Sequence, residues 1–222
     1  MQSDWFVSYT SFLCRKSHMS CVEFWFEFAS TYSYPAALRI GRLAQQFNVG
    51  ITWRPFLLGP IFKSHGWHDS PFNLYPVRGR YMWRDLERIC AALQLPFQRP
   101  SQFPRNGITA ARIACHYEHE PWMPEFVRRV YVANFAEDRD IADEAVLGAI
   151  LASLGQPATI LVQAQGAEAK NKLRAQTERA VELGIFGAPS VTCGHELFWG
   201  NDRLEQALTW VTQQMGKSPS AA

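Results

Sequence analysis

The sequence predicts an α/β fold interrupted by an all-helical insertion, and three observations predict it. A strand, a helix and a second strand follow one another from Cys21 to Arg54. Helical spacing without strand alternation then fills the chain from Leu57 to about Gly166. From Ala167 onward, a helix, a short hairpin and a last helix close the chain.

Val22, Phe24, Phe26 and Phe28 alternate with a side that includes Glu23 and Glu27, the period of a strand. Ser33 can cap a helix that carries Pro35 in its first turn, and Ala37, Ile40, Ala44 and Phe47 recur at helical spacing until Asn48 to Gly50 ends it. A second strand runs over residues 51–54, stopped by Pro55; two such strands joined through a helix pair in parallel, with a right-handed crossover. Helices are predicted over residues 80–93, 108–118, 123–136, 143–154 and 160–164, between joints at Pro71, Pro76, Pro96, Pro100, Pro104, Pro121 and Pro157. Residues 167–183 read as a long surface helix, and 190–193 with 196–198 as a hairpin around Gly194-His195. A final helix over 201–215 is capped by Asn201. The order β-α-β, helical insertion, α-β-β-α is that of a thioredoxin-type fold split by a helical domain. The expected domains are a thioredoxin-like unit over 21–56 and 167–216, an insertion over 57–166, an extension over 1–20 and a flexible tail over 217–222.

Composition narrows the function. With 222 residues and 47% hydrophobic content, the chain can build a large core without staples. A net charge of +2, from 22 basic and 20 acidic residues, gives no footprint for nucleic acid or anionic lipid. No apolar run reaches the length of a membrane span. Cys14, Cys21, Cys90, Cys115 and Cys193 form no C-x-x-C pair, their odd number excludes a fully paired framework, and a reducing compartment, the cytoplasm, is expected. Cys193 reads as a small packed residue. His116 with His119 and His65 with His68 lack an evident third ligand, so no metal is expected.

Ligands of open α/β sheets sit beyond the carboxyl ends of the strands, beside helix starts. Two segments converge there: the turn Ala29-Ser30-Thr31-Tyr32-Ser33 and Gly187-Ala188-Pro189-Ser190. A hydroxyl followed by free N–H groups at a helix start favours an anion, with Ser30 as donor; the same Ser30 and Ser33 would serve equally as helix caps. A dithiol enzyme would need cysteines where Ser30 and Ser33 stand, so redox cycling is excluded at this turn, while stabilising another molecule's thiolate is not. Before a cis Pro189, Ala188 would offer its backbone to an extended peptide, and the Trp199-Gly200-Asn201-Asp202 segment suits an amino-acid head group. The plainer reading of that last segment is a capped helix with an acid in its first turn.

Phe28-Ala29-Ser30-Thr31-Tyr32-Ser33-Tyr34, Leu57-Leu58-Gly59-Pro60-Ile61-Phe62-Lys63, residues 81–88, Gly184 to Ser190 and Phe198 to Leu204, taken together, resemble the 2-hydroxychromene-2-carboxylate isomerases, relatives of kappa-class glutathione transferases in the DsbA-like thioredoxin superfamily. Thr31 stands where the family turn usually has proline. The resemblance implies a glutathione cofactor, with Ser30 contacting its sulfur, Ala188 before Pro189 pairing with its cysteinyl main chain, and Trp199, Gly200, Asn201 and Asp202 holding its γ-glutamyl end. It implies Lys63, Asn73 and Phe103 near a small aromatic substrate, and a homodimer. The reaction implied is a glutathione-dependent isomerisation of an aromatic acid. A transferase that releases the conjugate and a catalytically silent peptide-binding module are the alternatives.

Overall fold

The computed structural model describes residues 20–215; the extension expected over 1–20, apart from Ser20, and the tail expected over 217–222 lie outside the described residues. Strand β1 (Cys21–Phe26), helix α1 (Ser33–Gln46) and strand β2 (Gly50–Pro55) come first. Helices α2 (Leu58–Ser64), α3 (Pro71–Leu74), α4 (Pro76–Ala92), α5 (Ile108–His116) and α6 (Met123–Phe135) follow. Then come α7 (Glu144–Ser153), α8 (Thr159–Ala164) and α9 (Ala167–Glu182). Strands β3 (Ser190–Cys193) and β4 (Glu196–Trp199), a 3₁₀ turn (Asn201–Arg203) and α10 (Leu204–Met215) complete the order. The sheet runs β2-β1-β3-β4, with β1 and β2 parallel and the other pairs antiparallel. This is the thioredoxin-like α/β fold that the order of elements predicts, with helices between β2 and β3.

The even residues of β1 explain why the sheet and the helices hold together. Val22, Phe24 and Phe26 are fully buried, and Trp53 of β2 meets Phe24 and Phe26 edge-on at 5.2 and 5.8 Å. The same cluster continues through Phe28 into Tyr131 and Phe135 of α6 and into Ala37 and Ile40 of α1. Each such side chain removed from water stabilises the fold by roughly 1.5–3 kcal/mol. The odd side of β1 is covered as well. Trp25 is fully buried against Phe56, Ile61, Ala180 and Ile185, and its indole N–H donates to Thr192 Oγ1 at 3.0 Å. Glu23 on that side is ion-paired to Arg54 of β2 and Arg179 of α9.

The local expectations need four corrections. Strand β1 stops at Phe26, because the chain turns after Glu27 to reach α1. Ser33 is the first residue of α1 and not its cap; Tyr32 holds that position, without a side-chain cap bond. Asn201 likewise begins the 3₁₀ turn, with Gly200 ahead of it at φ 119°, and its Oδ1 is buried without a partner. Helices α2 and α3 were not foreseen. Pro60 and Pro71 fall in their first turns, where a missing N–H costs nothing, and Ser70 Oγ accepts from Phe72 N at 3.3 Å to cap α3.

Candidate functional site

The chain leaving β1 makes a tight descent into α1. Ser30 N–H donates to the Glu27 carbonyl at 2.9 Å, and Ser33 N–H donates to the Ser30 carbonyl at 3.2 Å and to Ser30 Oγ at 3.4 Å. The Ser30 hydroxyl in turn donates to the Ala188 carbonyl at 2.9 Å. One hydroxyl therefore touches both segments that the sequence brings together: the start of a fourteen-residue helix and the turn before β3. The Ala188–Pro189 peptide bond is cis, and Pro189 receives the Gly200 N–H on its carbonyl at 2.9 Å. Among the described residues, the N–H groups of Thr31, Tyr32 and Ala188 donate to no protein acceptor. These are the donors that an anionic or peptidic ligand needs.

In front of Ser30 lies a cavity of about 1090 Å³, at the upper end of the range for small-molecule sites. Its base is Glu27, Ala29, Ser30, Thr31 and Tyr32; the Gly187-Ala188 turn, Phe186 and Trp199 form one wall. Leu57, Phe62, Lys63, Trp67, Phe72, Phe103 and Pro104 form another, so the helices between β2 and β3 supply an aromatic enclosure over the sheet end. Gly187 is fitted to this wall: a Cβ there would lie 2.4 Å from Trp199 Nε1, and the indole packs on Phe186 with centroids 4.9 Å apart. Lys63, exposed in the last turn of α2, faces no carboxylate within ion-pair distance among the described residues.

A second, larger groove of about 1430 Å³ lies between α1 and α6, and neither Ser30 nor Ala188 lines it. Its Arg128 and Arg129 are paired with Glu125, and its Arg139 with Glu137. Its one serine, Ser153, is engaged, donating to the Ile150 carbonyl at 2.6 Å and accepting from Arg129 at 2.7 Å.

Of the residues singled out from sequence, Ser30, Lys63, Phe103, Ala188 and Trp199 line this cavity together. Asn73, Pro189, Gly200, Asn201 and Asp202 are not among its lining residues. The Asn73 amide donates to Asp69 Oδ2 at 3.1 Å and to the Phe103 carbonyl at 3.4 Å. Asp202 pairs with Arg203, and Arg84 with Glu87, while Asp85 accepts from the Tyr32 hydroxyl at 3.0 Å. Burial, then Asp85, pushes the Tyr32 phenol above its ordinary value, so it remains a donor. Cys193 is half-buried against the main core, which raises its thiol further from ionisation. No group of three or more His, Cys, Asp or Glu side chains suited to a metal occurs among the described residues.

Two side chains that line this cavity escaped the sequence reading. Glu27 lies at the base of the cavity, with Ala29 N–H donating to its Oε2 at 2.9 Å. Burial lifts its carboxyl to about 7, against the lowering effect of the Ala29 and Ser30 N–H groups. Arg105, buried and lining the same cavity, donates to Asn134 Oδ1 at 3.2 Å and to the Arg139 carbonyl at 3.0 Å, and is ion-paired to Asp138. Asn134 passes the tie on, donating to the Phe28 carbonyl at 3.2 Å, so the turn bearing Ser30 hangs from this network. The only sequence signal for Glu27 is an acid placed three residues before the turn hydroxyl. Nothing local marks Arg105.

Comparison with known proteins agrees with this geometry. The family model for DsbA-like thioredoxin domains matches residues 21–210. The chain belongs to the DsbA-like thioredoxin family. Human glutathione S-transferase kappa 1 is 28% identical over 220 residues, covering 90% of this chain and 95% of that protein. The 2-hydroxychromene-2-carboxylate isomerase of Sphingobium xenophagum is 27% identical over 186 residues, covering 83% of this chain and 94% of its own. A solved 2-hydroxychromene-2-carboxylate isomerase superposes with a TM-score of 0.78 at 25% identity, covering 90% of this chain and 100% of that one. The resemblance read from the sequence blocks is thus borne out, on a DsbA-like fold with serines at the turn. Among the described residues, no helix is long and apolar enough to cross a membrane.

Proposed function

We propose that this chain is a glutathione-dependent isomerase of small aromatic acids of the 2-hydroxychromene-2-carboxylate and trans-o-hydroxybenzylidenepyruvate type. The observation that carries the reading is the Ser30 hydroxyl, held at a helix start and against the Ala188 carbonyl, at the base of an aromatic cavity. The residues present fit glutathione: Ala188 keeps an unused N–H beside a cis proline for a peptide main chain, and Thr31 and Tyr32 add unused N–H groups for an anion. The buried Asn201 Oδ1 has no protein partner, and in this reading the α-amino group of the γ-glutamyl end supplies it with a donor. When bound, glutathione supplies a thiol able to add to a conjugated double bond and leave again, so that rotation occurs about a single bond.

In this reading, Ser30 turns its donor from the Ala188 carbonyl to the sulfur. A hydrogen bond to a charged acceptor is worth about 1.5–3 kcal/mol, and the dipole of α1 adds to it. Ionising a thiol of ordinary pKa near 8.5 at neutral pH requires a stabilisation of about the same size. Ala188, Pro189, Trp199, Gly200, Asn201 and Asp202 hold the tripeptide. Lys63 stabilises negative charge developing on the substrate, with Asn73 and Phe103 at its rim. Phe62, Trp67 and Phe72 supply flat apolar walls for an aromatic ring.

The reading extends to a cytoplasmic setting, where reduced glutathione is available, and to a homodimer, for which the exposed Tyr75, Val77 and Tyr81 offer apolar surface. It also takes 57–166 as an insertion domain within a thioredoxin-like unit over 21–56 and 167–216. The kappa-class relative favours a second outcome, a transferase that releases the conjugate. Product analysis decides: the isomerase returns all glutathione free while the substrate's double-bond geometry equilibrates, and the transferase depletes it in step with substrate. A reaction that proceeds equally without glutathione contradicts both.

A further inference from the structure

Ser30 can stabilise a thiolate, but a hydroxyl that donates to sulfur cannot also remove the sulfur's proton. Another group must take it, and the cavity holds one. Glu27 lies at its base, half-buried, where the chain leaves β1 and three residues before Ser30. The Ser30 N–H on the Glu27 carbonyl and the Ala29 N–H on Glu27 Oε2, both at 2.9 Å, fix the carboxylate to the same turn that presents the hydroxyl. The Tyr131 hydroxyl, from α6, donates at 2.9 Å to the Glu27 carbonyl and pins the backbone of this residue.

The charged groups around this carboxylate are few. Tyr131 is held protonated by its burial. Arg105 lines the same cavity, but its guanidinium is bound to Asp138 and Asn134. Lys63, His68, Asp69 and Arg78 line the cavity from the α2 to α4 side. None of these lies within ion-pair distance of Glu27 among the described residues. A desolvated acid with no ion-pair partner among the described residues is poised to change charge, which is what a proton acceptor near neutral pH requires.

Resting on the glutathione reading, we infer that Glu27 is the base that takes the thiol proton when the tripeptide binds. The S–H bond breaks, its electron pair stays on the sulfur held by Ser30, and an O–H bond forms on the Glu27 carboxylate, which becomes neutral. The pair thus carries one negative charge before and after, and no two negative charges face each other in the cavity. On release the proton returns by the same route. The burial that lifts the Glu27 carboxyl to about 7 brings it within reach of a thiol near 8.5, an exchange that the Ser30 hydrogen bond completes.

The test counts protons against thiolate. Glutathione is titrated into the chain at pH 7.5 in buffers of different ionisation enthalpy, and bound thiolate is read from its absorbance near 240 nm. The parent is expected to release about 0.2 proton to buffer per thiolate formed, because Glu27 is mostly ionised beforehand and takes up most of it. Glu27→Gln is expected either to release about 0.9 proton per thiolate or to lose the thiolate band. S-methylglutathione, which has no thiol proton, is expected to release none from either protein. A parent ratio near one overturns the inference, as does a Glu27→Gln ratio equal to the parent's; glutathione binding by both proteins would still leave the glutathione reading standing. Absence of any binding to the parent overturns both. Folding of the variant is checked independently. The Glu27 carboxyl is raised on folding, so its ionisation weakens the fold as pH rises from the unfolded value of about 4.5 through about 7. Glu27→Gln is therefore expected to melt no lower than the parent at pH 8.

Discussion

An Arg105→Met variant will unfold roughly 10 °C below the parent, the largest stability loss expected from any single substitution near the site. The Arg105 side chain is 4% exposed, and its guanidinium donates to the carbonyls of Asn134, Asp138 and Arg139, to Asn134 Oδ1 and to Ser101 Oγ, besides its ion pair with Asp138. Methionine fills the volume but offers no donor. Three carbonyls then lose this donor, while the partly exposed Asp138 carboxylate keeps only Ser101, and removing the buried member of such a set costs about 3–5 kcal/mol. For a chain of this size each kcal/mol lowers the melting temperature by about 2–4 °C. Arg105→Lys keeps the charge but cannot span all these acceptors, so it should fall between the two. Calorimetric melting of the three proteins at pH 7 checks this; a loss below about 2 °C for methionine would show that the network does not support the fold.

Replacing Ser30 by alanine is expected to lower glutathione-dependent turnover by roughly 10- to 100-fold, the kinetic equivalent of a 1.5–3 kcal/mol hydrogen bond to a charged sulfur. The fold should survive, since the hydroxyl bond to the Ala188 carbonyl at 2.9 Å is worth about 1 kcal/mol, and the Ser33 N–H that loses Ser30 Oγ at 3.4 Å keeps the Ser30 carbonyl at 3.2 Å. Raising the pH should narrow the gap, because at high pH the free thiol ionises without help. Turnover of Ser30→Ala within twofold of the parent at pH 7 would assign the thiolate donor elsewhere.

The sequence makes the frame of this site legible because the frame is local. Alternating Val22, Phe24, Phe26 and Phe28 reveal a strand whatever covers it, and Gly184, Pro189 and the Gly194-His195 pair punctuate the last unit of the fold. Ser30 and Ala188 could be brought together on paper because thioredoxin-type topology places both beyond the same sheet end, and the structure joins them by one hydrogen bond. What stayed hidden depends on distant chain. Trp25 looks like an interruption on the polar side of β1 until Phe56 and the Ala180 face of α9 close over it. Glu27 reads as one more solvated acid of that side, because alternation does not say that the strand ends at Phe26 and leaves the next residue at a cavity base. Arg105 sits in a proline-rich joint with no periodic signal, and its partners lie up to 34 residues away. Pro71 and Pro76, which mark breaks in a propensity reading, instead begin α3 and α4, since a first-turn residue has no helical acceptor to lose.

The proposed role of Ser30 turns on one location, that of the glutathione sulfur. A crystal structure of this chain with glutathione bound tests it most directly. The sulfur is expected at hydrogen-bond distance from Ser30 Oγ, with the tripeptide's main chain against Ala188 and its γ-glutamyl end toward Asn201 and Asp202. Glutathione seated in the groove between α1 and α6, or in the Ser30 cavity with its sulfur turned away from the hydroxyl, would contradict it.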